Sequence, residues 1–299
     1  MKINLIAPAK LNFPHGNECR IVNWLATEEG KKLAIDLTIT DLRYSESYKN
    51  NLFKEYDATI VFKGEMLNPE SIQICSQPRV LYFPDDILQY SNYARLIKNI
   101  GHCYDIVYTF DRDAVNAFYH LGCKDVRWMP SWTGQDMFYN MNAFRDIDIC
   151  FIGTFNEYRI KMMNTIKYHF KDRKLCFKQG VYGHAYSDLL NRSKIVINAA
   201  QGDSGVSQRV FEAGACGAAV FTKHSNDLTD LFNEDEIVSW HDFDDLINKL
   251  KFYFDKPHKI NSVADRTYNC VMNNHLAQHR FKKMVHDIKE WKVKNEKIL

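Results

Sequence analysis

A chain of 299 residues that is 45% hydrophobic and 25% charged, with 13 Gly and 7 Pro, is neither disordered nor collagenous nor of low complexity. Its 39 Lys+Arg against 37 Asp+Glu leave a formal charge of +2, so no long-range attraction to nucleic acid or anionic membrane is built in, although a local basic groove is compatible with that balance. At roughly 100–200 residues per domain the length fits two domains, and a chain this long needs neither disulfides nor a structural metal to hold a core. The eight cysteines (19, 75, 103, 123, 150, 176, 216 and 270) show no C-x-x-C and no Cys/His zinc spacing, and read as reduced, buried residues of a cytoplasmic protein. Met1–Pro8 is a strand pattern rather than a signal peptide, and no stretch approaches the ~20 apolar residues of a membrane span.

In chain order, the predicted strands of the first part are Ile3–Ala7, Ala34–Thr40, Tyr56–Phe62, Arg79–Phe83, Ile106–Phe110 and Val126–Met129. Helical segments at Glu18–Gly30, Asn68–Ser76, Ile87–Ile100 and Arg112–Leu121 alternate with them, the mark of βαβ units and a parallel sheet. Pro130–Asp146 breaks the rhythm as a linker. The pattern then restarts with a strand at Ile147–Ile152, a helix at Asn156–Phe170, strands at Lys174–Lys178 and Ile195–Asn198, and a helix at Gln208–Cys216. Strands at Ala218–Phe221 and Ile237–Trp240 precede a tail that reads as helical from Asp242 to Leu299. Two facing parallel sheets place a ligand in the cleft at the carboxyl ends of their strands, so the site is sought in the loops that follow strands.

Three such loops carry chemistry. In Phe151-Ile-Gly153-Thr154-Phe-Asn156-Glu-Tyr-Arg159 an apolar strand ends in Gly-Thr before a helix with Arg159 in its first turn. Free N–H groups at a helix start, a glycine that permits close approach and a guanidinium suit a phosphate, whereas the plain alternative is a strand-turn-helix with a solvated Arg. In Gly202-Asp-Ser204-Gly205-Val-Ser-Gln-Arg209-Val-Phe-Glu212 a Gly-rich loop enters a helix carrying Arg209 and Glu212 three apart on one face. That pair suits a ligand with both phosphates and hydroxyls, or is an ordinary surface ion pair. In Tyr82-Phe-Pro84-Asp85-Asp86 a strand delivers two carboxylates at its carboxyl end, with Asp85 read as a general base and Asp86 as the N-cap of the next helix. Gly180-Val-Tyr182-Gly183-His184 is either a plain turn or a loop whose Tyr182 stacks a base. The D-x-D pairs Asp111/Asp113 and Asp146/Asp148 read as a helix start and a strand, not as cation sites.

The Arg209–Glu212 block, followed by Ala-Gly-Ala-Cys-Gly217, resembles the glycosyltransferases of the GT-B fold, and most of all the group related to the spore maturation protein CgeB. Tyr104–Asp111, Ser193–Asn198 and Phe232–Ile237 fall in the order that family shows, so the resemblance spans about residues 80–285. The phage DNA β-glucosyltransferases are similar in an R-V-x-E-like element, a G-x-F…R loop and an Asp ending an apolar strand, here Arg209 with Glu212, Gly153–Arg159, and Asp85. Where those enzymes present two arginines in the diphosphate loop, this chain has Asn156 and Arg159. Retaining GT-B families often carry a Glu eight residues before the ribose-binding Glu, and Ser204 stands there.

The resemblance implies an α/β chain with two Rossmann-like domains facing across a cleft. Residues 1–140 are expected to form the acceptor domain, 141–285 the nucleotide-sugar domain, and 286–299 a helix crossing back to the first. It implies a hexosyl- or pentosyltransferase taking a UDP-linked sugar, with inversion and without a metal or other cofactor. Gly153, Thr154, Asn156, Arg159, Tyr182, Arg209 and Glu212 would hold the donor and Asp85 would be the base. The expected location is the cytoplasm of a bacterium or of a phage-infected host. The acceptor is left open among saccharide, protein and modified DNA. A phage-type DNA glycosyltransferase and a non-catalytic nucleotide-sugar-binding or structural protein are the alternatives. A dehydrogenase fits poorly, because Pro8-Ala-Lys-Leu-Asn12 follows the first strand in place of G-x-G-x-x-G.

Overall fold

Apolar strand runs and helices alternate along the chain in the computed structural model, which describes residues 1–7, 16–41, 51, 54–200 and 205–296. The elements are β1 (Lys2–Ala7), α1 (Asn17–Leu25), α2 (Glu28–Lys31), β2 (Asp36–Asp41), β3 (Ala58–Phe62), α3 (Pro69–Gln73), β4 (Arg79–Phe83), α4 (Ser91–Ile100), β5 (Ile106–Thr109), α5 (Val115–His120) and β6 (Val126–Trp128). They continue with β7 (Ile147–Ile152), α6 (Glu157–His169), β8 (Leu175–Lys178), α7 (Gly183–Asn191), β9 (Ser193–Asn198), α8 (Gln208–Ala215), β10 (Ala219–Lys223), α9 (Leu228–Leu231), β11 (Val238–Trp240), α10 (Phe243–Asp255), α11 (Pro257–Asn274) and α12 (Ala277–Glu296). Helix starts are written in the local sequence. Thr27, Asn68, Asn156 and Asp242 each accept from a backbone N–H three residues on, and Pro69 and Pro257 occupy first-turn positions where no N–H is needed.

Two compact units result: Met1–Pro130 with Ala277–Leu299, and Ser131–Leu276. Residues 131–140 therefore fold with the second unit and 277–285 with the first. The first sheet runs β2-β1-β3-β4-β5-β6 and the second β11-β10-β9-β7-β8, with neighbouring strands parallel throughout. Both are doubly wound sheets whose strand order reverses between the first and third strand, β1/β3 and β7/β9, and such a reversal opens a crevice at the carboxyl ends.

The core of the first unit gathers Ile6, Val61, Leu81, Phe83 and Val107 beneath Ile97, Ile100 and Phe118. That of the second gathers Ile149, Phe151, Ile195, Ile197 and Phe221 beneath Met162, Ile166, Leu246 and Val263. The segment expected as a linker has almost no regular structure, yet it is packed: Trp132 and Phe138 are fully buried, and the Ser187 hydroxyl donates to Met137 O at 2.8 Å.

The helical tail consists of three helices, broken at Lys256 and at His275–Leu276. Gly180–His184 is not simply a loop, because Gly183 opens α7, a helix whose periodicity is hidden by Gly183, His184 and Ser187. The helix expected from Ile87 begins only at Ser91; Asp86 Oδ1 instead closes a turn, accepting from the N–H groups of Leu88 (2.8 Å) and Gln89 (3.0 Å). Pro8–Asn12 and Gly202–Ser204 lie outside the described residues.

Helix α12 is fastened to the first unit through Phe281, Met284 and Ile288, all fully buried, and through Asp287, whose carboxylate is wholly shielded from solvent. Tyr108 donates its hydroxyl proton to Asp287 Oδ2 at 2.6 Å, Arg127 pairs with Oδ1 at 3.0 Å, and Lys283 reaches the same oxygen. Burial works against that charge, but the Lys283 and Tyr108 hydrogen bonds outweigh it and hold the carboxyl below the usual aspartate range. Its contribution to stability is therefore present above about pH 4 and is lost as acidification passes through the folded pKa. Asp287→Ala is expected to cost about 2 kcal/mol, measured by denaturant unfolding at neutral pH, because it leaves the buried Tyr108 hydroxyl unmet and removes one of the two carboxylates on Arg127, which keeps Asp125.

Candidate functional site

In the second unit the strand order reverses between β7 and β9, and at the carboxyl ends of that pair the structure brings Gly153, Thr154, Arg159 and Arg209 together. Strand β7 ends at Ile152, and the turn Gly153–Asn156 that follows is pinned at each step. Gly153 N donates to Lys178 O at 3.0 Å, Phe155 N donates to Gln179 Oε1 at 3.1 Å, and Asn156 Oδ1 caps α6 by accepting from Arg159 N at 2.9 Å. Asn156, expected at the donor, thus has its carbonyl oxygen engaged in shaping the loop.

The guanidinium of Arg159 folds back over this turn, donating from Nε to Ala199 O (2.9 Å) and from Nη1 to Thr154 O (2.9 Å). Arg209, from the first turn of α8, arrives from the other side of the sequence and donates Nη1 to Asn198 Oδ1 at 3.0 Å, at the end of β9. Both guanidinium carbons lie over the buried Phe151 ring, 5.6 Å from its centroid for Arg159 and 5.4 Å for Arg209. A Cβ on Gly153 would stand 2.6 Å from Arg209 Nη2, so only glycine leaves room for that arginine to lie against the turn. These hydrogen bonds end on carbonyl and amide oxygens, which orient the two guanidinium groups. Arg209 Nε is buried without a hydrogen-bond partner among the described residues.

Asn198 was not singled out as a candidate, and it orders this end of the crevice. Its Nδ2 donates to Thr222 Oγ1 at 2.9 Å, and its Oδ1 accepts from Ser207 Oγ at 2.7 Å as well as from Arg209. The signal available for it was a lone amide closing the apolar run Ile195-Val-Ile.

Glu212, one turn along α8, is only 8% exposed. Tyr186 donates its hydroxyl proton to Glu212 Oε2 at 2.9 Å, and Gln208 Nε2 donates to Oε1 at 2.9 Å. Arg209 and Glu212 therefore project from one helix but engage different partners. Tyr186 is itself held edge-on by Phe138, their ring centroids 5.7 Å apart, and burial followed by the nearby Glu212 charge drives its phenol well above the ordinary tyrosine range. It stays a donor at any physiological pH. Tyr186 escaped the sequence reading because it belongs to the helix hidden behind Gly183. Depth is set by Gly214, where a Cβ would meet Val271 Cγ2 at 2.8 Å and Thr267 Cγ2 at 2.9 Å, so α8 lies flush on α11. Tyr182 is 61% exposed and stands at the N-cap position of α7.

Asp85 belongs to the first unit, two residues beyond β4. It is ion-paired with Lys63, 2.8 Å from Nζ to Oδ2, and Lys63 follows β3 with φ +64, a conformation unfavourable for a residue with a side chain. Burial of the Lys63 ammonium is outweighed by its hydrogen bond to Asp85, which holds its pKa above the ordinary lysine value. Nearby Glu18 is buried, which raises its carboxyl pKa against the pull of its backbone hydrogen bond and of Lys63 and Arg20. Lys63 too was missed in sequence, where a cation before Gly64 looks like an ordinary strand end. The D-x-D carboxylates are engaged by the protein's own groups: Asp146 by Arg192 and Lys174, Asp148 by Lys194, and Asp111 by the Asp113 N–H.

Solved structures of similar fold cover nearly the whole chain. That of Anabaena Alr3699/HepE in complex with UDP and glucose is 11% identical with a TM-score of 0.67, over 97% of this chain and 100% of that one. Sucrose-phosphate synthase from Thermosynechococcus elongatus gives 11% and 0.65 over 98% and 99%. An alpha-glucosyltransferase in complex with UDP-glucose and DNA containing an abasic site gives 10% and 0.63 over 96% and 99%. No curated protein sequence matches. Among the described residues no helix is long and apolar enough to cross a membrane. A family model described as glycosyl transferase-like matches residues 130–286, more than half of the chain and all of the unit in which the two arginines converge. With its two doubly wound sheets, the chain belongs to that glycosyl transferase-like family and has the GT-B fold.

Proposed function

We propose that this glycosyltransferase moves a sugar from a UDP-linked donor held by the second unit to an acceptor hydroxyl deprotonated by Asp85. The observation that carries the reading is the pairing of Arg159 and Arg209 at the β7/β9 reversal, two oriented cations beside a glycine with one guanidinium N–H still unmet. A diphosphate would accept hydrogen bonds from these guanidinium groups, and the gain is largest when the bond to the sugar breaks and negative charge builds on the leaving phosphate. Gly153 and Thr154 line that diphosphate position, with Asn156 shaping the turn. Glu212, fixed by Tyr186 and Gln208, accepts from the ribose hydroxyls, and Tyr182 offers its exposed ring to the base. UDP is favoured as the carrier because proteins of this fold are seen with UDP or UDP-glucose.

In the reaction the acceptor oxygen bonds to the anomeric carbon as the carbon–oxygen bond to the diphosphate breaks, and the acceptor proton passes to Asp85. A single displacement of this kind inverts the anomeric centre. The arginines do the work of charge neutralisation, so transfer is expected to proceed without an added divalent ion.

Calorimetry with UDP, and with GDP and NAD as controls, tests the donor site. UDP should bind, and Glu212→Ala should weaken it by about tenfold or more through loss of charge-assisted hydrogen bonds. Failure of every diphosphate to bind the wild-type protein would remove the donor reading. Tyr186→Phe leaves Glu212 Oε2 without its phenolic donor and should weaken UDP about tenfold, with a much smaller effect on a UDP analogue lacking the ribose hydroxyls. Equal losses for both ligands would show a purely structural tyrosine. Asp85→Asn should leave UDP affinity unchanged and reduce transfer at least a hundredfold in a donor and acceptor screen spanning saccharides, proteins and modified DNA; an active Asn variant would exclude Asp85 as the base.

A further inference from the structure

Two cysteines stand directly opposite each other on β7 and β8, the strands that feed the donor turn. In the parallel ladder Cys150 is the register partner of Cys176. Their neighbours Ile149 and Phe151, Leu175 and Phe177 all pack on the core beneath α6 and α10, so strand alternation turns both thiols together to the opposite face of the sheet. Adjacent strands lie about 4.7–4.9 Å apart, within the range of about 4.4–6.8 Å between Cα atoms that a disulfide spans. Both thiols are free.

The two are not equivalent. Cys150 is sealed from solvent, whereas Cys176 is partly exposed, so an oxidant meets Cys176 first. The neighbouring Cys150 thiol, helped by the positive charges of Lys178 and Arg192 against the opposing effect of burial, brings the Cys176 thiol down to about 7. Its neighbour Cys176, together with burial, pushes Cys150 up. Burial alone takes Cys123 to about 12 and is the largest cause for Cys75, Cys216 and Cys270, at about 11, 12 and 12, so thiolate character is concentrated at Cys176.

We propose that Cys150 and Cys176 form a reversible thiol–disulfide pair, closed by a hydroperoxide, whose closure loosens the donor turn. The Cys176 thiolate attacks a peroxide oxygen: an S–O bond forms, the O–O bond breaks, and hydroxide leaves to be protonated to water (or to an alcohol from an organic peroxide). The Cys150 sulfur then attacks Cys176, forming the S–S bond as the sulfenic oxygen departs with the Cys150 proton as water. Two electrons pass from the thiols to the peroxide, and a dithiol reductant returns them by exchange. The route to the site is short. Two residues beyond Cys176, Lys178 O accepts from Gly153 N, and Gln179 Oε1 accepts from Phe155 N, so a shift of β8 against β7 moves both anchors of the turn. This coupling rests on the donor reading above; the disulfide itself does not.

The test treats full-length protein with stoichiometric hydrogen peroxide, alkylates it under denaturing conditions and reads the intact mass and the unreduced digest. Of the eight thiols two should be lost to alkylation, the digest should contain a Cys150–Cys176 link, and dithiothreitol should restore all eight. UDP affinity should fall about fivefold or more on oxidation and recover on reduction. In Cys150→Ser, Cys176 should stop as a sulfenic acid trapped by a 1,3-dione. In Cys176→Ser, Cys150 should remain unmodified. Eight alkylatable thiols after peroxide, a link between other cysteines, or a Cys150–Cys176 link with unchanged affinity in a protein that binds UDP when reduced would each overturn the proposal. If the reduced protein binds no UDP, the donor reading fails by itself, and the mass measurement still decides whether the pair closes.

Discussion

Strand order in the second sheet reverses between β7 and β9, and the placement of Arg159 and Arg209 follows from that reversal. Connections leave these two strands in opposite directions, so the carboxyl ends of the pair open a crevice. Into it the chain brings a guanidinium from each side, Arg159 after β7 and Arg209 after β9. Two like charges near one phenylalanine ring repel, and they stay because each is tied to oxygen atoms that cannot move away: the carbonyls of Thr154 and Ala199 and the Asn198 amide. The cost of assembling such a site falls on folding rather than on ligand capture, which is what electrostatic preorganisation means in structural terms.

Polar side chains one step behind the crevice serve the same end. Asn198 divides its oxygen between Ser207 and Arg209 while its amide is held by Thr222, and Glu212 has both oxygens met, by Tyr186 and by Gln208. A carboxylate held at two points keeps lone pairs free in fixed directions, so it discriminates by geometry as well as by charge. Phe138, from the irregular stretch after Pro130, supports Tyr186 from behind, so part of a segment that reads as a connector has become part of the floor of the site.

The sheets were legible because a parallel strand buried on both faces is a short apolar run bounded by turns, and Ile147–Ile152 or Arg79–Phe83 announce themselves that way. Gly153, Arg159, Arg209 and Glu212 were legible because their residue types are unusual at the ends of such runs. What stayed hidden depends on contacts between segments distant in sequence. Tyr186 means nothing until α7 brings it beneath Glu212, 26 residues on. Lys63 acquires its meaning from Asp85 on the neighbouring strand, and Asp287 from Tyr108, 179 residues away. Asp86 shows the opposite error, a correct capping chemistry assigned to a helix that starts later, because the turn it closes uses the same N–H groups.

The membership of α12 in the first unit has a consequence for how the protein is made. The second unit is an insertion, complete in sequence before α12 is translated, whereas the first needs residues from both sides of it. During synthesis Tyr108 emerges 179 residues, and Arg127 160 residues, ahead of the carboxylate that joins them, a wait on the order of ten seconds at ordinary translation rates. Over that interval the first sheet exists without its last helix, with the surface later covered by Phe281, Met284 and Ile288 open to chaperones, while every residue of the second unit has already been made. The order of assembly is thus the reverse of the order in sequence: the unit begun second can be finished first.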